Sequence, residues 1–151
     1  MRFERLEYKH LSQMAEIERE AFDMPWTENM FIPEVENPSA YYIVGVRGEE
    51  VVCYGGFHSV LDEAHVTNIA VKSTDRGKGI GKFLMSELIS RAKLKGASVM
   101  MLEVRDGNVP AIKLYEGFGF RVVGVRKKYY NNLHDALIMT LDLNEDANGG
   151  V

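Results

Sequence analysis

Scarcity bounds this chain before any motif does. It holds one cysteine, Cys53, among 151 residues, so no internal disulfide can form, and a reducing, cytoplasmic setting is expected. The apolar share, 46%, never gathers into a run long enough to span a bilayer, and no early apolar segment reads as a secretory leader, so no membrane partner is expected. Positive charge is not in excess. Lysine and arginine number 18 against 22 acidic residues, a net charge of −4, which argues against direct nucleic-acid binding and suits a basic partner better. The four histidines, His10, His58, His65 and His134, share no ligand spacing with one another or with Cys53, so no metal is expected. Repeats and low-complexity linkers are missing too. At this length one domain is expected, over residues 1–143, followed by a polar tail at 144–151 that reads as frayed.

What is present is organised around residues 66–82. An apolar run from Val66 to Val71 reads as a buried strand and breaks at Lys72-Ser73-Thr74-Asp75. The chain then passes through Arg76-Gly77-Lys78-Gly79-Ile80-Gly81 into a helix whose Ile80, Phe83, Leu84, Leu88, Ile89 and Ala92 share one face. Strand, glycine turn and helix together present free backbone N–H groups and a positive dipole end, an arrangement suited to an anion such as a diphosphate. Glycines at alternate positions let the backbone approach a phosphate with no Cβ in the way.

The flanks read in order. Residues 2–8 suggest a strand, and Leu11, Met14, Ile17, Ala21 and Phe22 one face of a first helix that Pro25 stops. Thr27 can cap a second helix, which Pro33 is expected to kink or end. Tyr41–Val46 and Val51–Phe57 are strand-like runs around a hairpin at Arg47-Gly48-Glu49-Glu50. The main helix is expected to end at Gly96, with Arg91, Lys93 and Lys95 in its last turns. Ser98–Val104 reads as a strand, Pro110–Tyr115 as a short helix broken at Gly117, and 120–129 with 135–142 as two closing strands. Only the crossover from 66 to 104 demands a parallel pair. The expected fold is therefore mixed α/β (α+β), a mostly antiparallel sheet of about seven strands with helices on both faces.

Two common glycine motifs do not fit. A nucleotide-triphosphate loop needs a glycine five residues before Gly81-Lys82 and a Ser or Thr after it; Arg76 and Phe83 stand there. A dinucleotide fingerprint needs a third glycine where Lys82 or Leu84 stands. A tight turn needed only for packing stays open. The pattern that fits is Arg-x-x-Gly-x-Gly, from Arg76 through Gly79 to Gly81, which resembles the acetyl-coenzyme A pyrophosphate loop of the GNAT family of N-acetyltransferases. The element order matches that family over nearly the whole chain. Asn68-Ile69-Ala70-Val71, Leu102-Glu103-Val104-Arg105, Pro25-Trp26, and the run from Asn108 through Leu114-Tyr115 to Gly119-Phe120 look like its bacterial ribosomal-protein-alanine (RimI) type. Archaeal protein N-terminal acetyltransferases are close relatives.

The resemblance implies acetyl-CoA as co-substrate and a protein N-terminal amine as acceptor, with the N-terminal alanine of a basic small-subunit ribosomal protein as the expected substrate. It implies coenzyme contacts at Ile69, Ala70, Val71, Arg76, Gly77, Lys78, Gly79, Ile80, Gly81, Lys82 and Asn108. Glu103 matches the family's base and Tyr115 its acid. An α-amine, with a pKa of roughly 8 against roughly 10.4 for lysine, asks less of the base. A glutamate is a weak base in water, so burial or a water relay has to assist it. On residues alone, Glu103 also reads as a strand-end carboxylate paired with Arg105 or solvent, Tyr115 as a core aromatic, and Asn108 as a helix cap. Trp26 is either a core residue or a wall of the peptide groove, with Glu20, Asp23 and Glu28 nearby to attract a basic protein tail. Tyr130, after Arg126-Lys127-Lys128, either lines that groove or ends a solvated strand. Cys53 reads as a small buried hydrophobe, so direct attack in a ternary complex is favoured over an acyl-enzyme. A lysine or small-amine acetyltransferase is the alternative activity, and an idle coenzyme A sensor the alternative from another class. A monomer or weak dimer is expected.

Overall fold

Two cores, one on each face of a single seven-stranded sheet, account for the element order. The computed structural model describes residues 1–130 and 134–144, with the side chains of 128–130 outside that set. The elements are β1 (Arg2–Arg5), α1 (Leu11–Ala21), α2 (Glu28–Glu36), β2 (Ala40–Arg47), β3 (Glu50–Val60), β4 (Glu63–Val71), α3 (Ile80–Leu94), β5 (Val99–Arg105), α4 (Val109–Gly117), β6 (Arg121–Tyr130) and β7 (His134–Asp142). Strand order is β1-β2-β3-β4-β5-β7-β6, and every neighbouring pair is antiparallel except β4–β5.

Alternation along the strands sends Tyr42, Val44 and Tyr54 towards α1 and α2, and Tyr41, Ile43 and Phe57 towards the opposite core. Met14, Ile17 and Phe31 close the first core; Leu84, Met85, Leu88 and Ala92 of α3 close the second. Each large side chain buried this way contributes about 1.5–3 kcal/mol. The Tyr42 ring lies directly over Gly56, where a Cβ would stand 2.4 Å from it. Any side chain at Gly56 would displace that ring.

Several local expectations are corrected. β1 stops at Arg5, because the Glu7 N–H bonds His10 Nδ1 at 3.0 Å and starts a 3-10 turn over Tyr8–His10. Thr27 does precede α2, yet its hydroxyl makes no cap bond; its carbonyl accepts from Met30 N–H instead. Pro33 does not end α2, which runs on to Glu36 and closes with Asn37 N–H on the Pro33 carbonyl at 2.9 Å. β4 begins at Glu63, three residues before the apolar run, because its polar first turn pairs with β3 and β5. α3 ends as expected, with Gly96 at φ 86° just beyond it. Of the expected tail, Asn144 bonds Asp142, and the rest lies outside the described residues.

Candidate active site

The parallel pairing of β4 with β5 covers only Glu63–His65 against Val99–Met101. Beyond that point β4 stays on β3 as far as Val71, and β5 stays on β7 as far as Arg105. The two strands fork. An extra residue in β4 marks the place: Gly56 faces Asn68 and Phe57 faces Val66, leaving Thr67 bulged. Tyr42 secures the bulge from below, its hydroxyl 2.6 Å from Thr67 Oγ1 and donating to Asn68 Oδ1 at 2.9 Å. Burial pushes that phenol well above its ordinary pKa, so it stays a donor. Along the gap, the inner edges of 66–71 and 102–105 have no ladder partner among the described residues. Unpaired backbone inside a sheet is a demand for hydrogen bonds that an extended ligand can meet.

At the open end of the fork the chain turns into α3. Arg76 Nε donates to the Val71 carbonyl at 3.1 Å, tying the loop to the strand it follows. Asp75 is 1% exposed and accepts from Arg47 Nη1 at 2.9 Å, with Thr74 at 3.2 Å and Lys78 Nζ at 3.7 Å. The Arg47 hydrogen bond holds the Asp75 carboxyl below its ordinary pKa. Gly77 and Gly79 are left-handed, at φ 77° and 81°, and Gly79 is the residue before α3. No side chain caps the helix, and its first backbone bond runs from Phe83 N–H to the Gly79 carbonyl, so the N–H groups of Ile80, Gly81 and Lys82 have no acceptor within the helix. Gly81 differs from the other two glycines. A Cβ there would meet Leu114 at 3.5 Å and Val71 at 3.9 Å, ordinary contacts in a helical residue. Neither backbone nor packing requires glycine at 81.

Glu103 and Tyr115 lie on opposite faces of the sheet. Tyr42, Gly56, Asn68 and Glu103 share the α1/α2 face: His58 lies two residues from Gly56 and faces His65, His65 faces Met101, and Glu103 follows two residues on. Glu103 is 28% exposed there, and Oε1 accepts from Arg126 Nη2 at 2.6 Å. Its partner is thus Arg126 on β6, rather than Arg105 or solvent alone. Tyr115 is buried in the α3/α4 core, edge-on to Phe120 at 5.8 Å. It follows Leu114, whose contact with Gly81 sets α4 beside the glycine loop. Asn108 caps α4, its Oδ1 accepting from Ala111 N–H at 3.4 Å. Trp26 is half-buried against Phe31 at 5.0 Å. The Tyr130 side chain lies outside the described residues.

Three arrangements were not legible in the sequence. The Arg47–Asp75 pair, the Tyr42 prop and a buried Glu18–Tyr54 hydrogen bond each join residues 25 or more positions apart. An acid inside an otherwise basic turn was the one local hint of Asp75. The group Glu4, Glu7 and His10 has ligand atoms close enough for an ion, yet both His10 ring nitrogens are engaged, Nδ1 by Glu7 N–H and Nε2 by Glu4. Cys53 is buried and its thiol is pushed up to about 12, mainly by burial. A cleft of about 330 Å³ beside α1, lined by Gln13, Glu16, Glu20 and Lys72 among others, meets this site only at Lys72. No helix among the described residues is long and apolar enough to cross a membrane.

A mixed sheet forks between β4 and β5, a glycine turn follows β4 at the open end, and Glu103 and Tyr115 lie on its opposite faces. Residues 11–120 match the acetyltransferase (GNAT) family, and the chain belongs to that family. It is an N-acetyltransferase, for which acetyl-CoA is the co-substrate. A Bacillus subtilis relative of the [ribosomal protein bS18]-alanine N-acetyltransferase type is 41% identical over 137 residues, covering 89% of this chain and 91% of the relative. The [ribosomal protein bS18]-alanine N-acetyltransferase of Escherichia coli K12 is 33% identical over 141 residues, covering 91% and 95%. The crystal structure of the Escherichia coli ribosomal-protein-S18-alanine N-acetyltransferase superposes with a TM-score of 0.87 at 31% identity, covering 94% and 93%. Ard1 from Thermoplasma volcanium, at 22% identity and a TM-score of 0.86 over 93% and 96%, shares the fold.

Proposed function

We propose that this chain acetylates the N-terminal α-amine of a protein, with the N-terminal alanine of ribosomal protein bS18, the substrate named for its relatives, as acceptor. The observation that carries the reading is the fork. Glu103 and Tyr115 stand on opposite faces of the sheet, so the one place where both can serve a single reacting group is the gap between β4 and β5.

Acetyl-CoA supplies the acetyl group as a thioester. The main chain of Ile69, Ala70 and Val71 holds the acyl carbonyl and the extended arm through the unpaired groups of β4. Arg76 to Lys82, through the N–H groups at the helix start, the dipole of α3 and the lysine charges, holds the diphosphate, and Asn108 adds a contact while capping α4. Glu103 takes the proton of the attacking amine, directly or through water. Tyr115 gives its hydroxyl proton to the departing sulfur as the N–C bond forms and the C–S bond breaks. No acyl-enzyme is needed, and Cys53, buried with its thiol held protonated, is unsuited to forming one.

The deciding experiment incubates the protein with acetyl-CoA and three peptides: a basic peptide with free N-terminal alanine, the same peptide blocked at its N-terminus, and a lysine-rich blocked peptide. Mass is read after each. Acetylation of the first alone supports the reading; transfer to lysine makes this a side-chain acetyltransferase; tight coenzyme binding with no transfer to any amine makes it a sensor.

A further inference from the structure

Glu18 is a carboxylate that α1 carries into the protein interior, 1% exposed. Acids are rarely buried this far without a cation. No salt bridge of Glu18 to a cation is found among the described side chains, and its two oxygens are divided between a loop and a strand. Oε1 accepts from the backbone N–H of Trp26 at 2.9 Å, and Oε2 accepts from the hydroxyl of Tyr54 on β3. An apolar side chain in its place would leave the Trp26 N–H and the buried Tyr54 hydroxyl without their acceptor. What a carboxylate adds is a fixed position for the Trp26 backbone.

That position matters because of what surrounds it. The Trp26 ring packs on Phe31, and Phe31 stands edge-on to both Tyr54 (5.8 Å) and Tyr42 (6.4 Å). Tyr42 in turn holds Thr67 and Asn68 at the bulge where the fork opens. The segment between α1 and α2 is therefore tied by continuous contacts to the bulge where β4 and β5 begin to part, on the face that carries Glu103. It also leaves Phe22 and Met24 exposed, an apolar edge on an anchored segment.

We propose that Glu18 is a positioning residue for the acceptor: anchored on Tyr54, it holds Trp26 so that the segment between α1 and α2 forms one wall of the groove along which a peptide N-terminus reaches the fork. This rests on the N-terminal acetyltransferase reading. Phe22, Met24 and Trp26 then meet the first residues of the peptide, while the coenzyme side of the fork is untouched by Glu18.

Trp26 is the only tryptophan, so its emission reports the segment directly. Glu18→Gln and Tyr54→Phe are compared with wild type for peptide KM, acetyl-CoA KM, kcat, and acrylamide quenching of emission. Peptide KM is expected to rise about tenfold in Glu18→Gln, with acetyl-CoA KM and kcat within about twofold and quenching increased. Tyr54→Phe is expected to show the same pattern, smaller. Titrating the wild-type protein, with coenzyme A bound, with the alanine peptide should change Trp26 emission with a midpoint near the peptide KM. That arm needs no variant to fold. Unchanged peptide KM in Glu18→Gln, equal changes in both substrates' KM, or emission indifferent to peptide overturns the proposal. If wild type acetylates no N-terminal peptide at all, the acceptor reading itself fails, and the emission and quenching results still score the anchor separately.

Discussion

Arg126, on the edge strand β6, reaches across β7 to hold the Glu103 carboxylate at 2.6 Å. The guanidinium engages Oε1 of that carboxylate, a contact that fixes the orientation of the proposed base. Glu103→Gln is expected to lower kcat about 10²-fold or more, with coenzyme A affinity unchanged by calorimetry. Arg126→Gln, which leaves the acid but loosens its aim, is expected to cost about tenfold in kcat. Turnover of Glu103→Gln near wild type would remove the base assignment.

Tyr115 offers a cleaner separation of chemistry from packing. Its ring belongs to a core with Phe120, which phenylalanine preserves. Tyr115→Phe is expected to keep stability within about 1.5 kcal/mol while kcat falls about 10–100-fold. Denaturant melts and thiol-release assays on one preparation check both halves.

Gly79 and Gly81 make opposite predictions although they stand two residues apart. Gly79→Ala forces a Cβ into a left-handed conformation and is expected to cost about 1–2 kcal/mol. Gly81→Ala sits in a helix with room for a methyl group, so stability is expected to hold or rise by up to about 1 kcal/mol. Its acetyl-CoA KM should nevertheless rise about tenfold, because the methyl group occupies the approach to the helix end. Unchanged KM in Gly81→Ala would move the diphosphate elsewhere.

Asp75 links the loop to acid stability. The Arg47 hydrogen bond holds its carboxyl below the ordinary value, so near pH 4 the folded state binds fewer protons here than the unfolded chain does. The stabilisation is therefore complete above about pH 4–5 and is lost as pH falls through the folded value. Asp75→Asn is expected to lower Tm at pH 7 and to flatten the acid limb of the stability curve, read by melts from pH 3 to 7. An acid limb identical in variant and wild type would show that Asp75 does not set it.

Cys53 tests the direct-attack route. With its thiol raised to about 12 and buried, the native protein should resist iodoacetamide at pH 8 and show no acetylated protein after mixing with acetyl-CoA alone. Mass spectrometry of the intact chain checks both, and a covalent acetyl adduct on Cys53 would overturn the ternary mechanism.

Much of the fold was legible because its signals are local. Alternation marks the strands, the 3.6-residue repeat marks α3, and Gly96 marks its end. The glycine loop was legible for the same reason, since left-handed positions and an uncapped helix start are written in consecutive residues. Pro33 does not end α2 because a proline in a short exposed helix loses one bond without breaking the turn. The Glu103 partner was invisible, as Arg126 is 23 residues away and meets it only through the β5-β7-β6 order. Glu18 and Tyr42 escaped for a like reason: each acts through a contact that exists only once strands and helices have packed.

Among the described residues, the three register pairs at Glu63–His65 are the only ladder between β1–β4 and the β5-β7-β6 block. Amide hydrogens on the inner edge of 66–71 therefore have solvent where a central strand normally has a neighbour, and they should exchange with deuterium as quickly as those of an edge strand. Filling the gap with coenzyme A would convert that stretch into sheet interior. The same amides would then slow together, while the already paired β2–β3 amides would hardly change, and the sheet would be continuous across its width only with the coenzyme in the gap.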